Sequence, residues 1–253
     1  NNKVNYFTEE KGVEICKSND SGCIDIEDIC PREVDAKSLG QNNLGVVQSI
    51  ETFTTVDGPG VRVIVFMQGC PKRCLFCCNP ETQKIVNAKY SDASMTDNQV
   101  ATIIEKYSDF LGPNKGGITI SGGEALLQSD FVTSIFERVH ALGLTTCIDT
   151  AGHGSEEVWR KVLKETDYIL LCLKAMNPDL SGFVNGTNTS RAGYRAKQFA
   201  IFARDNFPHI QIVLRWVLLH GLTDTDAEIK ELITFAKKLQ PSLCHIELLP
   251  YHD

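Results

Sequence analysis

The chain has 253 residues, a formal net charge of −7 and 42% hydrophobic residues. That length suits one medium domain with a real core, and the acidic balance argues against a nucleic-acid partner, which needs a basic face. No apolar run approaches the roughly 20 residues that cross a membrane, so a membrane partner is not expected.

Residues 1–46 are polar, without sustained periodicity, and read as an N-terminal extension that is poorly ordered. Asn1 to Phe7 lack the apolar core of a secretion signal. The chain does not begin with Met, which suggests trimming. Cys16, Cys23 and Cys30 are evenly spaced there, but no histidine and no close Cys pair marks a second metal site. Of the ten cysteines, Cys147, Cys172 and Cys244 sit in apolar runs and are expected as reduced, buried thiols. A reducing interior, the cytoplasm or an organelle, follows.

From residue 47 the pattern alternates between strand and helix. Strands are expected at 61–67, 117–121, 145–149, 168–173, 210–217 and 244–249. Helices are expected at 96–110, 129–142, 155–165, 191–206 and 225–239, with Thr96, Ser129 and Ser155 as caps. The alternation implies an α/β fold with a parallel sheet, as an open six-stranded barrel or a doubly wound sheet.

Cys70, Cys74 and Cys77 are spaced C-x3-C-x2-C directly after the first strand. Three thiolates on one loop can hold three corners of an iron–sulfur cubane and leave one iron open. With ten cysteines such a spacing also arises by chance, and structural zinc is the bland alternative. The context favours the cluster. Pro71 and Pro80 stiffen the loop, and Phe76 lies inside it.

In parallel α/β folds ligands sit at the carboxyl ends of the strands. Those ends carry Gly122, Gly123 and Glu124, then Asp149 and Thr150, then Cys172, Leu173 and Lys174, then Arg215, and finally His252. Each has an ordinary reading as turn, cap or surface charge. Together they suit an amino-acid-bearing ligand that chelates the open iron. Lys174 or Arg215 would neutralise its carboxylate, and the glycine backbone would meet its ammonium.

The runs Asp57-Gly-Pro-Gly-Val-Arg62, Gln68-Gly-Cys-x3-Cys-Leu-Phe-Cys77, Ser121-Gly-Gly-Glu-Ala-Leu-Leu-Gln128, Thr146-Cys-Ile-Asp-Thr150 and Ile246-Glu-Leu-Leu-Pro-Tyr-His252 resemble the radical S-adenosylmethionine superfamily. Within it they resemble the activating enzymes of pyruvate formate-lyase. The resemblance spans roughly residues 46–253. It implies an open partial (β/α)6 barrel and a 4Fe–4S cluster on Cys70, Cys74 and Cys77. S-adenosylmethionine would lie near Phe76, Cys77, Cys78, Gly122, Gly123, Glu124, Asp149, Cys172, Leu173, Lys174, Arg215 and His252. Lys174 joins the three cysteines as a residue expected to be catalytic.

The implied activity is reductive cleavage of S-adenosylmethionine. It ends in a glycyl radical on pyruvate formate-lyase, with flavodoxin or ferredoxin as one-electron donor. A monovalent cation is implied near Asp149 and Thr150.

Three departures stand out. Cys78 stands where close relatives carry His. Cys172-Leu173-Lys174 replaces the usual Asp-Leu-Lys, which touches the cation site. Relatives also continue past the residue that matches His252. The alternatives are an activase of another glycyl-radical enzyme, a radical enzyme acting on a small molecule, or a metal-binding or electron-transfer protein. The last predicts no cleavage of S-adenosylmethionine under reduction.

Overall fold

The structure, a computed structural model, describes residues 43–112, 116–187, 189 and 191–251. Cys16, Cys23, Cys30 and His252 therefore lie outside the described residues. All six expected strands form: β2 (Arg62–Met67), β4 (Gly117–Gly122), β5 (Thr145–Thr150), β6 (Tyr168–Leu173), β7 (Gln211–Leu218) and β8 (Leu243–Pro250). Each pairs in parallel with the next, so their carboxyl ends share one rim.

Two further strands add to the β2 edge in antiparallel sense, β1 (Leu44–Thr54) and β3 (Ser94–Thr96). β1 begins three residues before the expected domain start. It escapes a periodicity search for a physical reason. Its register against β2 shifts between Val47 and Ser49 and again between Glu51 and Thr54, so inward and outward positions do not alternate.

The sheet order is β3-β1-β2-β4-β5-β6-β7-β8, and its two outer strands do not pair with each other. The helices are α1 (Asp97–Glu105), α2 (Ser108–Leu111), α3 (Ser129–Ala141), α4 (Glu156–Leu163), α5 (Pro178–Val184), α6 (Arg191–Asn206) and α7 (Asp226–Lys238). One core cluster joins Ile120, Ile148, Leu171 and Leu214 of the strands to Ile104, Phe136, Trp159, Phe199 and Leu232 of the helices. A second, small cluster on the other set of strand positions holds Cys147, Leu170 and Val213 and no helical residue. The helices thus cover one face, and the other is the concave face of an open barrel. This excludes the doubly wound alternative, which needs helices on both faces.

Thr96 and Ser155 cap α1 and α4 as expected, through bonds from Gln99 N and Val158 N. Ser129 does not cap α3. A 3-10 turn, Ala125–Gln128, delivers the chain into Ser129 already in helical geometry. The expected helix at 96–110 is broken, because Tyr107 leaves helical geometry at φ −108°, ψ 2°. α5 was not expected from periodicity, since seven residues make too short a repeat. Its start is nonetheless written locally: Asn177 accepts from Asp179 N and Leu180 N, and Pro178 is the first residue. Of the three thiols expected to be buried only Cys147 is; Cys172 is half-buried near the open end of β6, and Cys244 is exposed because it lies on the outermost strand.

The β1–β2 loop enters the concave face and packs on its floor. Thr119 Oγ1 donates to the Asp57 carbonyl at 2.5 Å. Arg62, with no exposed surface, donates to Thr119 Oγ1, Pro59 O, Thr145 Oγ1, Thr145 O and Ile118 O. A guanidinium has five N–H donors, and all five find acceptors here. That saturation is what makes a buried cation tolerable where burial lowers its pKa.

Candidate active site

The cysteine loop leaves β2 at the carboxyl rim and is held from both sides. Gly69 N donates to Thr82 O at 2.7 Å, and Cys70 N to Gln83 O at 3.3 Å. On the other flank Arg73 N donates to Asn185 O at 2.8 Å, and Leu75 N to Val184 O at 2.9 Å, at the end of α5. Gly186, at φ +71°, follows because a Cβ there would stand 2.5 Å from Arg73 O. Cys77 N closes a turn on Cys74 O at 3.1 Å.

Cys70, Cys74 and Cys77 are free and half-buried, whereas Cys78 is exposed. Burial pushes the Cys70 thiol up to about 11 and also raises Cys74, against the pull of the nearby Lys174 and Lys72. Thiols near two cations are a soft donor set that suits iron–sulfur or zinc. A single tetrahedral zinc would need sulfurs about 3.8 Å apart. Among the described residues no three Cys, His, Asp or Glu side chains gather around a single metal position. Three free, half-buried thiols on one loop beside Lys72 and Lys174 are the donor set that a 4Fe–4S cluster takes.

The Gly-Gly-Glu turn after β4 presses against this loop. Gly122 has φ +106°. A Cβ on Gly123 would stand 2.2 Å from Gly69 O, and Gly123 N donates to Met67 O at 2.9 Å. The glycines thus allow a close backbone approach within the chain itself. Both are half-exposed, so the turn also faces the rim.

Glu124 is buried and fully engaged. Its Oε1 accepts from Thr150 Oγ1 at 2.5 Å and from Leu126 N at 3.2 Å, and its Oε2 accepts from Ala151 N at 3.0 Å. Lys72 of the cysteine loop stands 3.9 Å away. Glu124 is an anchor for the loop and not a free ligand for a cofactor.

Asp149 Oδ2 accepts from Ser121 Oγ at 2.8 Å and faces Arg215 Nη1 at 3.3 Å. Burial raises the Asp149 pKa, and Arg215 opposes that rise. Arg215 also meets Glu247 Oε2 at 2.8 Å, Asp57 Oδ1 at 3.4 Å and Val56 O at 2.7 Å. Three carboxylates surround one guanidinium, which raises its pKa against the effect of burial.

Lys174 is different. Its Nζ donates to Cys172 Sγ at 2.8 Å and lies 4.9 Å from the Phe76 ring centroid. Among the described residues it has no carboxylate at ion-pair distance. The expectation that Cys172 and Lys174 share a face holds. Leu173 points the other way, into the core beneath the helices. Asp149 and Thr150 also diverge, since neighbouring strand residues alternate faces, and the Thr150 hydroxyl is taken by Glu124.

Residues 56–176 match the family model of a 4Fe-4S single cluster domain. The chain is 36% identical over 214 residues to the pyruvate formate-lyase-activating enzyme of Streptococcus mutans, covering 82% of this chain and 78% of that protein. It is 38% identical to that of Listeria monocytogenes, covering 83% and 82%. The chain belongs to the pyruvate formate-lyase-activating enzyme family. The Escherichia coli pyruvate formate-lyase 1-activating enzyme is 34% identical, covering 83% and 82%.

Among solved structures, Streptococcus suis SuiB bound to S-adenosylmethionine aligns with a TM-score of 0.56 at 17% identity, over 73% of this chain and 39% of that one. A radical SAM methyltransferase from Sphaerobacter thermophilus gives 0.54 at 16%, over 83% and 68%. These two share the fold. Relatives and family model together make the chain an activating-type enzyme with a 4Fe-4S cluster domain.

Reasoning from residue type alone gave this activating-enzyme family member no role for Lys72, Asp57, Glu247 or Ser121. Lys72 was visible only as a cation inside the cysteine loop, and Asp57 only as the start of a glycine-rich turn. Their partners lie far along the chain.

Proposed function

We propose that this chain activates pyruvate formate-lyase by placing a radical on one of its glycines. Cys70, Cys74 and Cys77 hold the cluster, and Lys174 receives the carboxylate of S-adenosylmethionine. When bound, the cluster and S-adenosylmethionine would supply the one-electron reduction and the hydrogen-atom abstraction at that glycine. The observation that carries this reading is the pairing of a free, half-buried cysteine triplet with the Lys174 ammonium at the same rim.

Arg215 is the weaker candidate for the carboxylate, because Asp57, Asp149 and Glu247 already neutralise it. Its role is to fix Asp149 and the β1–β2 loop beneath the cofactor. Phe76 lies against Lys174, Gly122 ends β4 at the same rim with Gly123 after it, and His252 follows β8 in sequence. The monovalent cation near Asp149 and Thr150 stays an expectation of the resemblance, since these side chains do not converge.

A one-electron donor of the flavodoxin or ferredoxin class and a cytoplasmic setting complete the reading. Among the described residues no helix is long and apolar enough to cross a membrane.

The test is anaerobic reconstitution with iron and sulfide, followed by a strong reductant and S-adenosylmethionine. 5′-Deoxyadenosine should form, and adding pyruvate formate-lyase should give a glycyl radical by electron paramagnetic resonance. Cys74→Ala should abolish both. Deoxyadenosine without a radical on that partner would move the assignment to another glycyl-radical enzyme or a small-molecule substrate.

A further inference from the structure

The contact between Lys174 and Cys172 has no counterpart elsewhere in the described site. A lysine stem is flexible, and its ammonium takes any acceptor within reach. Here two features hold it: Cys172 Sγ at 2.8 Å and the Phe76 ring at 4.9 Å. Phe76 belongs to the cysteine loop itself, so the ammonium bridges β6 and that loop. A thiol sulfur is a weak acceptor. It directs the ammonium without competing strongly for it.

We propose that Cys172 is a positioning residue, whose sulfur holds the Lys174 ammonium over Phe76 so that it is set to receive the carboxylate of S-adenosylmethionine. This rests on the reading of Lys174 given above. Cys172 acts through Lys174, the residue its sulfur meets.

The test uses the reconstituted enzyme and measures S-adenosylmethionine affinity by calorimetry. A second readout is the change in the electron paramagnetic resonance signal of the reduced cluster when S-adenosylmethionine is added. Cys172→Ala should raise Kd about tenfold, the low end of what losing an orienting partner costs. KM for S-adenosylmethionine should rise by more than kcat falls, with iron content and thermal midpoint unchanged. Cys172→Ser, whose hydroxyl can accept from the ammonium, should recover most of the affinity.

In the unaltered protein, S-adenosylmethionine should slow alkylation of Cys172 by iodoacetamide, read by mass spectrometry against exposed Cys244. The proposal is overturned by wild-type affinity in Cys172→Ala, by Ser behaving as Ala, or by alkylation of Cys172 that S-adenosylmethionine does not slow. Loss of iron in Cys172→Ala would also overturn it, by making Cys172 a cluster ligand. If Lys174→Ala binds S-adenosylmethionine as tightly as wild type, the reading of Lys174 itself fails. That outcome is distinct from one in which only the Cys172 variants are silent.

Discussion

Lys72 Nζ stands 3.9 Å from Glu124 Oε2, and both side chains are buried. Lys72 lies between the first two cysteines, and Glu124 follows the Gly-Gly turn of β4. Glu124 also takes the Thr150 hydroxyl and the Ala151 N–H from the end of β5. One carboxylate thereby ties the ends of β4 and β5 to the loop that carries the thiols. A stable loop geometry is what a cluster site needs before the metal arrives.

Glu124→Ala should be severely destabilising. It leaves the Lys72 ammonium buried without a partner and frees Thr150 Oγ1 and Ala151 N, at a cost of about 3–5 kcal/mol. Glu124→Gln keeps an acceptor and should cost less. Combining Lys72→Met with Glu124→Gln should recover part of the loss, because the unpaired charge is gone. Anaerobic urea unfolding of the wild type, Lys72→Met, Glu124→Gln and the double variant measures the coupling. Simple additivity would show that the pair contributes nothing of its own.

Gly123→Ala should damage the same junction from the backbone side. The added Cβ would lie 2.2 Å from the Gly69 carbonyl oxygen and 2.6 Å from its carbon. Neither atom can yield without moving the cysteine loop, because Gly69 O also accepts from Glu124 N at 2.8 Å. Reduced iron content after reconstitution, with a lower thermal midpoint, is the expected result. Full iron incorporation would mean that the loop relaxes freely.

Five of the six parallel strands, β2, β4, β5, β6 and β7, were legible as short runs whose central residues are buried on both faces, and the half-exposed edge strand β8 was legible from its Ile, Leu and Leu alone. β1 was not, since its register shifts break the period of two. α5 was not, since its signal lies in the Asn177 cap and Pro178 and not in periodicity. The cysteine triplet and Lys174 were legible as chemistry-bearing residues at strand ends. Their constraints were not. Arg215 read as a candidate for a carboxylate ligand, yet Asp57, 158 positions away, and Glu247, 32 positions away, already occupy it. Sequence shows which groups need partners, and long-range pairing decides which remain free.

Cys78 separates two views of the cysteine loop. It is exposed, while Cys70, Cys74 and Cys77 are half-buried. Cys78→Ala should therefore retain the iron and sulfide of wild type, and Cys74→Ala should lose most of both. Ultraviolet–visible absorption and iron analysis after anaerobic reconstitution compare them. Equal loss in the two variants would make Cys78 a fourth ligand and close the iron that S-adenosylmethionine needs.

Cys147 sets an alkaline limit on stability. It has no exposed surface, and burial pushes its thiol from the ordinary 9.0 up to about 12, with Arg62 and Thr119 pulling the other way. Below pH 9 the thiol is protonated in both folded and unfolded chains, and it adds no pH dependence. Between 9 and about 12 the unfolded thiol ionises while the folded one keeps its proton. The folded state then binds more protons, so stability falls as pH rises through that window. The slope is about 1.4 kcal/mol per pH unit. Cys147→Ala removes this slope while opening a small cavity beside Gly58, where a Cβ would lie 3.2 Å from the sulfur. At pH 8 the variant should be the less stable protein. By pH 10.5 the gap should have closed by about 2 kcal/mol. Urea midpoints at the two pH values decide it, and a gap independent of pH would mean that Cys147 ionises in the folded protein as readily as in the unfolded chain.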